Sequence, residues 1–365
     1  MILFLGGDVM TGRGVDQILP HPGDPTLWEA HVKHARDYVT LAEATNGPIP
    51  RPVDFNWPWG DALQLLDQLA PDLRIVNLET SITSSADVAF EKGVHYRMNP
   101  ANIRCLATAG LDGCTLANNH VLDFGRRGLL DTLDALTRVG IRPIGAGRSA
   151  MEAAQPAILT DGRGSRVIVL ALGAPTSGIP SSWAATADRP GITFLRDLSP
   201  PSADEVVKSV AALKHSGDVV VASVHWGSNW GYDVTSSQVE FAHRLIDGGV
   251  DVLHGHSSHH PRPVEVYRDR LILYGCGDLI DDYEGIGGYD RYRDDLRLLW
   301  FASLDASDGA LEALRMAPMQ ARRMRLRHAD PDDREWLRTV LDKISRPFGA
   351  RIELDDDQLL ILPRP

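Results

Sequence analysis

Cysteine is scarce: only Cys105, Cys114 and Cys276 occur in 365 residues. The count is odd and no pair has zinc-site spacing, which argues against a disulfide framework or a thiolate metal site. Basic residues are in the minority, 37 Lys and Arg against 49 Asp and Glu, for a net charge of -12. That balance argues against a nucleic-acid-binding face. It leaves an anionic substrate open, because a bound cation inverts the local field. No run of about 18 apolar residues is present, so no segment reads as a membrane span. The N-terminus, Met1-Ile2-Leu3-Phe4-Leu5-Gly6-Gly7-Asp8, has no basic stretch and too short an apolar run for a signal segment. The expected setting is the cytoplasm, with no membrane and no nucleic acid as partner. Internal repeats and low-complexity linkers are also missing.

Apolar runs of strand length alternate with segments of helical spacing. Residues 2–5, 73–76, 113–117, 141–144, 166–172, 218–224 and 250–253 read as strands. Helices are expected near 61–69, 99–110, 127–139, 203–215, 236–247 and 330–344. Runs at 263–267 and 271–275 resemble an antiparallel pair, and further strands follow near 297–304, 311–316, 350–354 and 358–362. Such alternation means an α/β sheet covered on both faces, mixed by its later hairpins. Residues 14–57 lack clear periodicity and end near Trp57 and Trp59. They read as a long insertion or lid on a single domain spanning 1–365.

Polar residues with metal-ligating chemistry recur just after these strands. They are Asp8, Glu79, Asn119 with His120, His225, His256 with His259, and Asp278. Residues 254–260, His-Gly-His-Ser-Ser-His-His, hold four of the thirteen histidines. Ligands of α/β sheets gather outside the carboxyl ends of strands. Carboxylate, imidazole and carboxamide together suit a divalent metal: Ca²⁺, Mn²⁺, Zn²⁺, Fe or Mg²⁺. Imidazoles left free of metal can act as general acid or base. Within the cluster, His254 is expected to point back into the sheet and His260, beside Pro261, to be structural. Arg97 could clamp a carboxylate or phosphate. Trp226 and Trp230 flank His225 and could stack on a substrate. Asp281, Asp282 and Glu284 are expected to face water.

The set Gly7-Asp8, Asn77-Leu78-Glu79, Ala117-Asn118-Asn119-His120 with Asp123 and Gly125, His225-Trp226-Gly227, Gly255-His256 with His259, and Tyr274-Gly275-Cys276-Gly277-Asp278 resembles the CapA-type proteins. That family is associated with poly-γ-glutamate capsule synthesis and is similar to the calcineurin-like metallophosphoesterases. The resemblance runs from residue 2 to about 280. It implies a calcineurin-like four-layer α/β/β/α sandwich with two mixed sheets. It also implies Asp8, Glu79, Asn119, His225, His256 and His259 as metal ligands, with His120 as the proton donor. Two positions depart from the pattern. Met10 stands where a histidine is usual, and thioether is a poor ligand for hard cations, so a single Ca²⁺ or Mn²⁺ is favoured. Asp278 stands where many such chains have Asn, and adds a charge or a second base.

Three functions follow as expectations. The first is a metal-dependent acid/base enzyme that epimerises a Cα centre of a ribosomally made peptide. Its bases would be paired as His120 with Asp8 or Asp123, and His225 or His256 with Asp278. The second is a metal-dependent phosphoesterase or hydrolase with His120 as acid. The third is a non-catalytic protein that handles poly-γ-glutamate.

Overall fold

A computed structural model describes residues 1–363. Two mixed sheets face each other. In the larger, ten-stranded sheet, Ile2–Val9 lies between Leu73–Leu78 and Leu296–Leu304. Its pairing is parallel on the first side and antiparallel on the second. Gly113–Thr115 and Arg142–Ile144 extend the parallel side. The short strand Asp278–Ile280 also joins Ile2–Val9 in parallel, with Asp278 in register with Asp8. The six-stranded sheet has Val219–His225 at its centre, between Arg166–Gly173 and Val252–His256 and parallel to both.

The two-residue repeat of the strands builds the layers. Val167, Val169, Val219, Val221, Val252, Leu271 and Leu273 share one buried cluster with Leu3, Leu5 and Ile75 of the larger sheet. The residues between them, Ile168, Val220, Ala222, Val224, Leu253 and Ile272, pack instead with Val206, Phe241 and Leu245. Those three belong to helices Pro200–Ala211 and Ser236–Asp247. Successive side chains leave opposite faces of a strand, so one face meets the other sheet and one meets helices. Helix Gly125–Arg138 buries Leu129, Leu133 and Leu136 on the outer side of the larger sheet. Each fully buried leucine contributes about 1.5–3 kcal/mol. The result is helix, sheet, sheet, helix.

Polar side chains bridge the two sheets near their carboxyl ends. Ser223 Oγ donates to Thr115 Oγ1 at 3.3 Å, and His254 Nε2 lies 2.9 Å from the Gly6 carbonyl oxygen. Glycine is required at position 7, where a Cβ would sit 1.8 Å from the Gly277 carbonyl oxygen. That close approach sets Asp8 beside Asp278.

Three local expectations are corrected. The stretch read as aperiodic contains helix Arg36–Asn46, which buries Tyr38, Val39 and Ala42 on one stripe. The helix expected from Asn99 to Gly110 is two short pieces, Pro100–Asn102 and Arg104–Ala107. Its cap forms as read, with Ala101 N donating to Asn99 Oδ1 at 3.0 Å. The strand expected at 311–316 runs on to Ala321.

Candidate functional site

The strand ends converge at one edge of the inter-sheet layer. Asp8 is in register with Asn77 and Asp278, and His225 with His256. Asn77 Nδ2 donates to Asp8 Oδ1 at 2.7 Å, and the Ser257 amide donates to Asp8 Oδ2 at 3.1 Å. His225 Nδ1 lies 2.8 Å from His256 Nδ1, and its Nε2 lies 3.0 Å from Asn119 Oδ1. His256 Nε2 lies 2.8 Å from Ser223 Oγ, and its Nδ1 lies 3.8 Å from Asp8 Oδ1. Candidate ligand atoms of Asp8, His225 and His256 all fall within 4.8 Å of one another, and the three side chains are buried.

The electrostatics fit a cation. Burial, then the Asp278 charge, push the Asp8 carboxyl up to about 7. Burial with Asp8 and Asp278 drives Glu79 well above the usual carboxylate range. Glu79 Oε2 and Asp278 Oδ2 are buried without a hydrogen-bond partner. Burial holds His225 and His256 well below the ordinary imidazole value, so both are neutral and able to ligate. Crowded carboxylates, orphaned oxygens and neutral imidazoles are a donor set for a divalent ion, so Asp8, His225 and His256 could hold one.

Two histidine–aspartate pairs stand beside this cluster. His120 Nδ1 lies 2.6 Å from Asp123 Oδ2, which also accepts the Tyr96 amide at 2.7 Å. Lys92 Nζ donates to Asp123 Oδ1 and to the Asn119 carbonyl. Its ammonium lies 3.1 Å from His120 Nδ1. Burial pushes His120 down to about 4 against the pull of Asp123, and Lys92 adds to the fall. The ring's other nitrogen lies 3.7 Å from Glu79 Oε1. In the second pair, His259 Nδ1 lies 3.0 Å from Asp278 Oδ1 and Nε2 lies 2.9 Å from Asn229 Nδ2. Burial works against protonation of His259, but Asp278 and then Asp8 outweigh it and raise its pKa. The pairs are thus tuned in opposite directions, His120 neutral and His259 inclined to carry a proton.

His120 and His259 both line one cavity of about 260 Å³, walled by Tyr38, Tyr96, Trp230 and Tyr289. Trp230 stacks on Tyr289 with ring centres 3.9 Å apart. The Arg13 guanidinium lies over the Tyr38 ring at 3.8 Å and is neutralised by Asp282 and Glu29. Arg13 has φ +45°, a left-handed backbone that costs a residue with a Cβ about 1–3 kcal/mol and recurs at functional sites.

Several expected roles are corrected. The pairing of His225 or His256 with Asp278 does not form; those two histidines contact each other, and His259 takes Asp278. Trp226 is a core residue, 1 % exposed, stacked on Tyr274 and donating to the Tyr274 carbonyl at 3.0 Å. Arg97 points its guanidinium at the Ser85 and Asp24 carbonyls and over Phe124, so its donors are committed away from the cavity. Asp281 and Asp282 do not face water: they are buried against Arg297 and Arg13. Glu284 caps the amides of Arg323 and Met324. His254 shares the inward face with His256, as a two-residue step requires, and contacts Ser223 Oγ at 3.2 Å. His260 is structural, accepting the Gly231 amide at 3.1 Å. Met10 is buried and accepts the Tyr283 hydroxyl at 3.7 Å. Reading by sequence missed Lys92, Arg13 and the tyrosines of the cavity wall, none of which lies in a motif.

Residues 2–283 match the family described as Bacterial capsule synthesis protein PGA_cap. A "Probable polyglutamine synthesis accessory protein" of Mycobacterium tuberculosis (strain H37Rv) is 52% identical over 359 residues, covering 98% of this chain and 94% of that one. The PGA biosynthesis protein CapA of Bacillus subtilis (strain 168) is 24% identical over 290 residues, covering 79% of this chain and 64% of that protein. Among solved structures, TT1561 of Thermus thermophilus aligns with a TM-score of 0.36 and 10% identity, over 85% of this chain and 96% of that one. Among the described residues, no helix is long and apolar enough to cross a membrane.

Proposed function

The chain belongs to the bacterial capsule synthesis (PGA_cap) family, and from that premise we propose that it is a metal-dependent acid/base enzyme that inverts a Cα centre in a glutamate-rich peptide chain. The substrate class follows the names of its relatives, which refer to polyglutamine synthesis and PGA biosynthesis. One observation carries the chemistry: His120–Asp123 and His259–Asp278 open onto the same cavity with opposite protonation tendencies.

Inversion at Cα needs a base on one face of the carbon and an acid on the other. Neutral His120, oriented by Asp123 through Nδ1, presents Nε2 to take a proton. His259, oriented by Asp278 through Nδ1, would give one to the opposite face from Nε2, exchanging the Asn229 contact for the substrate. The reverse reaction exchanges the roles. A divalent cation at Asp8, His225 and His256, with Asn119 and Glu79 adjacent, would supply positive charge for a developing oxyanion. Two imidazoles in that set suit Mn²⁺, Fe or Zn²⁺ better than Ca²⁺, which prefers oxygen. Tyr96, Trp230 and Tyr289 wall the cavity and would limit water around the reacting carbon.

A hydrolytic reading rests on the Asp8, His225 and His256 cluster, with His120 protonating a leaving group. The value of about 4 at His120 weighs against it. At pH 7 such a histidine is protonated in only about one molecule in 1,000, so it begins a cycle ready to take a proton, whereas protonating a leaving group needs the proton in place at the start.

The test is incubation with oligoglutamate peptides in D₂O, with Mn²⁺ or Zn²⁺ added, followed by mass and chiral analysis. Deuterium at Cα together with D-glutamate is the expected result. Cleavage of an amide or aryl phosphate without Cα deuterium supports hydrolysis instead. Absence of both, with His120→Ala retaining polymer binding and biological activity, supports a non-catalytic handling role and overturns the proposal.

A further inference from the structure

The hairpin that joins Leu311–Ala321 to Leu326–His328 holds four arginines within six residues: Arg322, Arg323, Arg325 and Arg327. Its turn is closed by Arg322 N donating to the Arg325 carbonyl at 2.9 Å. The two central residues, Arg323 and Met324, have φ +59° and +51°. A two-residue hairpin turn of this hand normally takes Asn-Gly, because side chains disfavour positive φ. Here the strained pair is held from three sides. The Glu284 carboxylate accepts both turn amides. Met324 is 2 % exposed, with its methyl against Gly14, next in sequence to Arg13 of the cavity wall. Trp57 Nε1 donates to the Arg323 carbonyl at 2.9 Å, and the Arg325 guanidinium lies over the Trp57 ring at 5.2 Å.

This geometry gathers charge at the surface, with Arg322 exposed and Arg323, Arg325 and Arg327 half-buried. Met324 and Leu326 point inward, so Arg325 and Arg327 leave the opposite face of the strand about 7 Å apart. Among the described residues the four arginines make one ion pair, Arg325 with Asp61 at 3.5 Å. Burial and then the charges of Arg323, Arg325 and Arg322 lower the Arg327 pKa, the mark of crowding by like charges. A cationic ridge on a chain of net charge -12 is a local inversion of the field.

We propose that Arg322, Arg323, Arg325 and Arg327 form an anchoring surface, outside the catalytic cavity, for an acidic peptide chain. Its identification as glutamate-rich rests on the function proposed above. Guanidinium groups bind carboxylates through paired hydrogen bonds. The spacing of Arg325 and Arg327 matches alternate side chains of an extended peptide. Arg322 borders a cavity of about 410 Å³ that shares Tyr283, Ile286 and Asp294 with the catalytic cavity. Asp290, Asp294 and Asp295 line that second space and keep an acidic chain on the rim. The ridge would hold the polymer while one residue at a time is presented to the histidine pairs.

The test is fluorescence anisotropy of a labelled oligoglutamate with the full chain in EDTA, at low and physiological salt. Wild type is expected to bind, more weakly as salt rises. The variant Arg322→Gln with Arg325→Gln and Arg327→Gln is expected to lose affinity about tenfold. The corresponding lysine variant should fall between the two, since its charge is kept and the paired hydrogen bonds are not. Arg322→Glu alone, at an exposed residue without an ion pair, should weaken binding and keep the melting temperature. Equal binding by wild type and the folded glutamine variant overturns the proposal. So does no binding by wild type at low salt, or tighter arginine-dependent binding of a single-stranded DNA of equal charge. Deuterium exchange at Cα is read separately. Arginine-dependent binding without exchange leaves the surface standing and removes the proposed chemistry; exchange without arginine dependence does the reverse.

Discussion

Substituting Asp8→Asn should stabilise the metal-free protein at neutral pH and weaken its response to metal. Burial and Asp278 raise the Asp8 carboxyl from 3.8 to about 7. In the unfolded chain the group ionises near 3.8, so between that value and about 7 the folded state binds more protons. Stability therefore falls as pH rises through this window, by about 4 kcal/mol in total. The raw pH profile will not display this. Burial lowers His120 and His254 from 6.5 to about 4, and each of these adds about 3 kcal/mol of stability as pH rises from 4 to 6.5. The difference between variant and wild type removes the His120 and His254 contributions, which are common to both, and reports Asp8 together with Glu79 and His259, whose titrations its charge shifts. Urea unfolding in EDTA at about pH 4, 6 and 8 should show the Asp8→Asn advantage growing by about 3–4 kcal/mol. A constant offset of about 1 kcal/mol against the variant is expected from the weakened acceptor of the Ser257 amide. Adding Mn²⁺ at about 100 times its Kd should stabilise wild type by about 2.7 kcal/mol and Asp8→Asn by less. A variant-minus-wild-type difference that stays flat with pH would refute the crowded-carboxylate argument. Equal stabilisation of both proteins by metal would remove Asp8 from the ligand set.

His120→Gln and His259→Gln should each lower Cα exchange by about 10²–10⁴-fold; comparing L- and D-glutamate peptides in D₂O should show each variant impaired most for the enantiomer whose proton that histidine removes. Trp226→Ala should cost about 3–5 kcal/mol in urea unfolding, because its ring is packed between Phe241 and Tyr274. Trp230→Ala, on the cavity wall, should cost about 1 kcal/mol or less and appear as a raised KM. Arg297→Met should cost about 3–5 kcal/mol by leaving the Asp281 carboxylate buried without its partner, again read from urea midpoints.

The layers were legible because apolar alternation is a local signal. The Val219–His225 strand and its neighbours bury both faces, and their flanking helices carry their own apolar stripes. The strand-end residues were legible for the same reason, since Asp8, His225 and His256 interrupt apolar runs at a polar turn. Helix Arg36–Asn46 was not, because its buried stripe of Tyr38, Val39 and Ala42 is short and mixed with Asp37, Thr40 and Glu43. Trp226 was misplaced because a residue beside a motif histidine alternates to the opposite face, here the helix-side core.

Partner choice is the part that no local pattern carries. Asp278 reaches His259 and not His225 because Asp278–Ile280 pairs with Ile2–Val9, 270 residues away in sequence, and this pairing places its carboxylate behind His259, which lines the cavity. His225 and His256 sit deeper, on adjacent strands in register, where each imidazole finds the other. The division has a chemical consequence. The deep pair is fully buried, neutral and next to Asp8, which suits ligation. The outer pair, His120 and His259, keeps carboxylate partners and faces the cavity, which suits proton transfer. In the proposed reaction, depth within the strand-end cluster thus separates candidate ligands from candidate proton carriers, and it depends on which strands are neighbours.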